Sequence, residues 1–165
     1  MSAEKSTNGA TAGGPDGPTV EGRGIKCVKP GAKCRAVPQG VLDLDAISRP
    51  TVGSEGIFMA RYTMPPGAHS DLHLHTNCES AVYVLGGRGY AYAGESMDEY
   101  LEAGPGDFVY IPADLPHVVG CPAGGDPLEY VVARNAAEEI VFTLREGNRL
   151  PIGPGGHMRG VQGDG

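Results

Sequence analysis

The chain reads as an all-β barrel. Apolar runs recur with turn residues about every eight to twelve positions, glycine and proline are abundant at 27 and 14 of 165 residues, and no stretch favours a long helix. Residues 1–24 are rich in Gly, Thr, Ser and Pro and bury too little apolar surface to offset the entropy of ordering, so a disordered N-terminal tail is expected there. The barrel itself is expected over 25–144. Asp43 to Ile47 leads in as a short helical or strand segment, and Gly56 to Tyr62 is the first strong strand. Met64-Pro65-Pro66-Gly67 is a turn signal, after which Leu72 and Leu74 alternate with His73 and His75 in strand fashion. Glu79 opens the next strand, Ala81 to Leu85, which stops at Gly86-Gly87. Tyr90 to Tyr92, Asp107 to Ile111, Val118-Val119 and Leu128 to Ala133 continue the rhythm. From Arg145 the chain carries Pro151, Pro154 and Gly-Gly pairs, so 145–165 is expected to be a flexible C-terminal tail in which His157 is solvated.

Composition bounds the function. One domain with 40% apolar residues builds one compact β core. A net charge of −7, from 13 basic and 20 acidic residues, argues against a phosphate-tracking surface and so against nucleic acid as a partner. No stretch is long and apolar enough to span a bilayer, and Met1-Ser2-Ala3-Glu4-Lys5 lacks the apolar core of a signal peptide. The expectation is a cytoplasmic protein without a membrane partner.

The residues that carry chemistry are few. Side chains two apart on a strand share a face, so His73 and His75 can offer two imidazoles to one ion. Glu79, at the start of the following strand, can fold back over that pair, and His117 comes from a distant segment. Tyr83 shares the parity of Glu79 and is expected to face the site, either donating a hydrogen bond to a bound oxygen or filling volume. Glu79 and Tyr83 are therefore the candidate catalytic residues. Cys121, four residues after His117, either lines the pocket or is a small buried residue. Cys27 and Cys34 are spaced too widely for a zinc knuckle and are expected to be free thiols, while Cys78 is expected to be buried. His69 is expected to be exposed in its loop, and Arg61, Glu129 and Arg134 to sit on the outer barrel face.

These spacings resemble the two motifs of the cupin superfamily. Gly67, five residues, His73-Leu74-His75, three residues, Glu79, six residues and Gly86 match the first motif at every fixed position. Gly106, five residues, Pro112, then Asp114, two residues and His117 match the second, except that Asp114 stands where glycine is usual and Cys121 where asparagine is usual. The resemblance covers roughly residues 55 to 143 and is to small single-domain bacterial cupins. It implies a double-stranded β-helix, or jelly-roll barrel, and one divalent metal ion held by His73, His75, Glu79 and His117. It also implies a homodimer, for which the segment from Ile25 to Val41 is the candidate.

Such ligands suit Fe, Mn, Ni, Cu or Zn, although catalytic zinc more often takes three protein ligands and water. Cupins with this ligand set include dioxygenases, oxalate-metabolising enzymes, isomerases and polyketide cyclases. The expectation is a metal-dependent enzyme that chelates an oxygen-bearing small molecule, with oxygenase chemistry first. The alternatives are an isomerase or cyclase, or a module that binds or senses a small molecule without turnover.

Overall fold

The structure, a computed structural model, describes residues 19–31, 35–37 and 40–144. The expectations for 1–18 and 145–165, and those for Cys34 and His157, lie outside the described residues. Strand pairing begins earlier than the expected boundary at residue 25: β1 (Thr19–Glu21) and β2 (Cys27–Lys29) form a small antiparallel ribbon. Next come β3 (Arg35–Val37) and β4 (Gly40–Ile47), so the segment from Asp43 to Ile47 is strand and not helix. The four-residue helix α1 (Arg49–Val52) starts at Ser48, whose Oγ accepts from the Thr51 amide, and stops at Gly53 in the left-handed conformation.

The remaining chain is strand and turn. It runs through β5 (Phe58–Met64), β6 (His73–His75), β7 (Ser80–Gly86), β8 (Gly89–Ala93), β9 (Glu99–Ala103), β10 (Phe108–Ile111), β11 (His117–Gly120), β12 (Leu128–Arg134) and β13 (Val141–Thr143). A six-stranded sheet has the order β10-β7-β12-β5-β4-β3 and a five-stranded sheet the order β13-β6-β11-β8-β9, with antiparallel pairing throughout. This is the expected jelly roll. β9 is an element that composition does not signal, because Glu99 and Glu102 flank its apolar residues; its register with β8 makes it a strand.

The core lies between the two larger sheets. Along β5, Phe58, Ala60, Tyr62 and Met64 point inward, and along β12 so do Leu128, Tyr130, Val132 and Arg134. Tyr62 and Tyr130 are paired in register, and their rings stack at 5.3 Å. Val84, Ala103 and Cys121 complete this cluster. A second, smaller cluster of Leu72, Tyr90, Tyr92, Met97 and Val118 covers the opposite face of the five-stranded sheet, since Val118 alternates with the inward His117 and Val119. That locates the Tyr90 and Tyr92 rings away from the barrel interior.

The passage from one sheet to the other at Gly86-Gly87 is tightly built. Gly87 has φ +70°, and a Cβ there would lie 2.2 Å from the Pro127 carbonyl oxygen, whereas a Cβ at Gly86 would meet only the Glu129 side chain at 4.0 Å. Strain and clash add at Gly87 and are absent at Gly86. Gly87→Ala is therefore expected to cost more than about 2 kcal/mol, and Gly86→Ala less than about 1 kcal/mol. Urea unfolding of the two variants checks this, and equal midpoints would contradict it.

Candidate metal centre

β6 and β11 are neighbours in the five-stranded sheet, and their register sets His117 directly opposite His73. His75 lies two residues along β6 on the same face. All three rings are buried. Their centroids are 4.3 Å apart for His73 and His117, 5.1 Å for His73 and His75, and 5.5 Å for His75 and His117. One donor nitrogen from each lies within 4.8 Å of the others, and among the described residues this is the group of His, Cys, Asp and Glu side chains that comes so close.

Hydrogen bonds fix where two of the ring protons sit. His73 Nδ1 is 2.8 Å from the Asp71 carbonyl oxygen, and His117 Nδ1 is 2.8 Å from that of Leu115. A carbonyl only accepts, so each Nδ1 carries the proton and each Nε2 keeps its lone pair. Burial lowers the pKa of His73 from 6.5 to about 3, helped by the neighbouring His117 and His75, and that of His117 to about 4. Both rings are thus neutral near pH 7, the state in which imidazole binds metal.

A second layer of polar groups closes over His75. Its Nδ1 lies 3.2 Å from Glu139 Oε2, off the line of a hydrogen bond. The same oxygen is 3.0 Å from Arg134 Nη1. Arg134 is buried, donates from Nε to Ser80 Oγ at 3.1 Å, and lies over the Phe58 ring. Burial alone would raise the pKa of Glu139, yet His75 and Arg134 draw it below the ordinary carboxylate range. His75 Nδ1, Arg134 Nη1 and Glu139 Oε2 are buried polar atoms without an aligned partner, and they meet at one place. Three buried imidazoles, His73 and His117 among them neutral, with a carboxylate beside the third fit a divalent cation.

The structure departs from the sequence expectation at two candidate residues. Ser80, Val82 and Val84 are the inward set of β7, which leaves Glu79 and Tyr83 on the outer face. Glu79 is exposed; its Oε1 accepts from Tyr110 Oη at 2.6 Å and its Oε2 from Asn135 Nδ2 at 3.2 Å. It does not join the three histidines. Tyr83 is 39% exposed and packs on Phe108 at 4.7 Å between ring centroids. The physical reason is strand parity: both alternating sets of β7 are largely apolar, and the one beginning at Ser80 faces the core. Arg134 departs in the other direction, inward where the outer face was expected. Arg61 and Glu129 do lie on the outer face, and His69 is exposed.

Cys121 follows the last residue of β11 and packs in the main core, with Sγ 3.5 Å from the Asp126 carbonyl oxygen. Cys78 is buried, and Cys27 is an exposed free thiol. Asp114, which stands where the second motif usually has glycine, takes φ +61° and donates its amide to the His75 carbonyl at 2.8 Å. Glu139, Arg134 and Ser80 are the residues of this region that motif spacing does not single out. A charged residue at position 134, on the same parity as Leu128, Tyr130 and Val132, is the available signal.

Residues 60–134 match the family model described as the cupin domain. No curated protein is similar enough to the chain to count as a relative. Among solved structures, the oxalate decarboxylase formate complex of Lactobacillus farciminis is similar with a TM-score of 0.59 at 18% identity, over 68% of this chain and 33% of that one. A glutamate-to-alanine mutant of Bacillus subtilis oxalate decarboxylase gives 0.58 at 22% identity, over 68% and 30%. A Bacillus subtilis oxalate decarboxylase characterised for its Mn(II) centres gives 0.50 at 24%, over 55% and 24%. At these identities the likeness is one of fold, and the chain spans about a third or less of the length of these proteins.

The buried histidines set an acid sensitivity. A histidine whose folded pKa is depressed binds its proton only in the unfolded chain between the two values, so stability is full above pH 6.5 and falls as pH drops toward 4. Each such ring contributes a slope of about 1.4 kcal/mol per pH unit in that window. Metal-free protein unfolded in urea at pH 7.5, 6 and 5 should lose stability progressively. His117→Gln should show a shallower dependence, and an identical slope in the two proteins would contradict the assignment.

Proposed function

Because residues 60–134 match the cupin-domain model, we propose that the chain is a metal-dependent enzyme of small-molecule chemistry, with one divalent ion held by His73, His75 and His117. The observation that carries this is the set of three buried imidazoles with donor nitrogens within 4.8 Å. Two of these rings have their Nδ1 protons committed to backbone carbonyls. Buried neutral rings so arranged present lone pairs to one point, for which a cation is the natural occupant. Nitrogen donors suit Fe, Mn, Ni, Cu or Zn, and manganese is the ion to test first given the Mn(II) centres of the similar Bacillus subtilis protein.

When bound, the ion polarises an oxygen-bearing substrate and lowers the pKa of the group it binds. The chain supplies the surroundings. One inward step beyond Ser80 and His117 on their strands come Val82 and Val119, and here the barrel holds a cavity of about 60 Å³ lined mostly by apolar residues that include Val84, Leu101 and Ile111. Room for only a few heavy atoms favours a compact substrate with its oxygens at the histidine end and its carbon at the valine end. An ion held by His73, His75 and His117 would keep positions open for an oxygen-bearing substrate, which is compatible with oxygenase chemistry, the first reading, and equally with isomerisation or cyclisation. A binding or sensing module is the second reading, favoured by a lining that brings no carboxylate, histidine or cysteine to the cavity.

Metal analysis after reconstitution should find about one ion per chain, and oxygen uptake with small enols or diketones should depend on it. His73→Ala and His117→Ala should each lower metal content severely. A wild-type protein that takes up no divalent ion would overturn the proposal, and full metal binding without turnover or oxygen uptake would favour the second reading.

The chain is also proposed to form a homodimer through its N-terminal strands. β3 is an outer strand of the six-stranded sheet, and its outer edge, unpaired among the described residues, can accept a strand from a second copy. Sedimentation at micromolar concentration should give twice the chain mass of 17.1 kDa. A monomer would count against this assembly.

A further inference from the structure

The three rings differ in how their Nδ1 atoms are served. His73 and His117 each meet the carbonyl two residues upstream, at 2.8 Å. His75 has no such bond and instead faces Glu139 Oε2 at 3.2 Å. Glu139 comes from the loop between β12 and β13, and that loop is clamped on both sides of it. Asn77 Nδ2 donates to the Glu138 carbonyl at 2.8 Å, and Asn77 Oδ1 accepts from the Ile140 amide at 2.7 Å. The Thr76 amide adds a bond to the Ile140 carbonyl at 3.1 Å. From the interior, Arg134 holds the carboxylate at 3.0 Å and is itself fixed by its bond to Ser80. Glu79, meanwhile, has both carboxylate oxygens engaged outside the barrel by Tyr110 and Asn135.

We infer that Glu139 is the positioning carboxylate of the metal centre, its 3.2 Å contact with His75 Nδ1 closing into a hydrogen bond when an ion is bound so that this ring, like the other two, presents Nε2 to the ion, and that Glu79 instead clamps the loop that carries Glu139. The inference rests on the proposed metal binding by the three histidines. A carboxylate on the far nitrogen of a ligating imidazole fixes the ring's tautomer and orientation and raises its basicity, and removing it typically costs 10- to 100-fold in metal affinity. Arg134 then keeps the carboxylate aimed.

The test is titration of Mn(II) and Co(II) into metal-free wild type, Glu139→Gln and Glu79→Gln, with the visible spectrum of the Co(II) form recorded and the melting temperature of each metal-free protein measured. Glu139→Gln should bind either ion about 10- to 100-fold more weakly and shift the Co(II) spectrum, while Glu79→Gln, which acts only through the loop, should lose less affinity and keep the wild-type spectrum. Should Glu139→Gln fail to fold, Glu139→Asp, which keeps the charge but withdraws it by one methylene, is read by the same criteria. Wild-type affinity and spectrum in the Glu139 variant overturn the inference, as does a variant whose only change is a lower metal-free melting temperature. Equal weakening by Glu79→Gln also overturns it. A wild type that binds neither ion is a different result, because it removes the proposed function and not merely the role of Glu139.

Discussion

His73 and His117 can share a few ångströms of barrel interior only while neither is charged. At the 4.3 Å that separates His73 from His117, two protonated rings would repel by about 4 kcal/mol in a partly screened interior, in addition to the larger cost of stripping each from water. The pairing of His73 opposite His117 satisfies this constraint because each ring finds its own upstream carbonyl and holds a single proton on Nδ1. The buried guanidinium of Arg134 adds to the penalty on protonation of both rings, and Glu139 balances that charge. Neutral rings, a compensated cation and converging lone pairs are consequences of one requirement.

The strands also arrange the interior in layers. On three of them the inward position changes from polar to apolar over two residues: Ser80 to Val82 on β7, Arg134 to Val132 on β12, and His117 to Val119 on β11. Polar groups are thereby gathered at one end, where they satisfy or charge-balance one another, and the remainder of the interior is left to the valines, to Leu128 and to the stacked Tyr62 and Tyr130.

Strand alternation makes much of this legible without coordinates. Period-two spacing puts His73 and His75 on one face, and the recurrence of apolar runs marks most of the strands. The parity of β7 is not legible, because Ala81, Tyr83 and Leu85 are as apolar as Val82 and Val84, so nothing local says which set is buried. That ambiguity decides whether Glu79 or Ser80 looks inward. Glu139 is invisible for another reason: it reaches His75 through a loop whose placement depends on Asn77, far away in sequence. Asp114 shows a departure from the family pattern that keeps its geometry, since φ +61° is a conformation in which aspartate substitutes for glycine better than most residues.

The clamp made by Asn77 spans 63 residues and sits beside the pairing of Val141 with His75 at the C-terminal strand. The surroundings of His75 are therefore finished only when the last described strand has docked on β6. A ribosome-bound chain with everything up to Arg134 folded would have the three rings in place, yet one side of His75 would still be open to water. Closing such a separation costs entropy that rises only slowly with loop length, so β13 can arrive late without a large thermodynamic handicap. The order of synthesis thus makes the docking of β13, and not formation of the histidine-bearing strands, the event that seals the site.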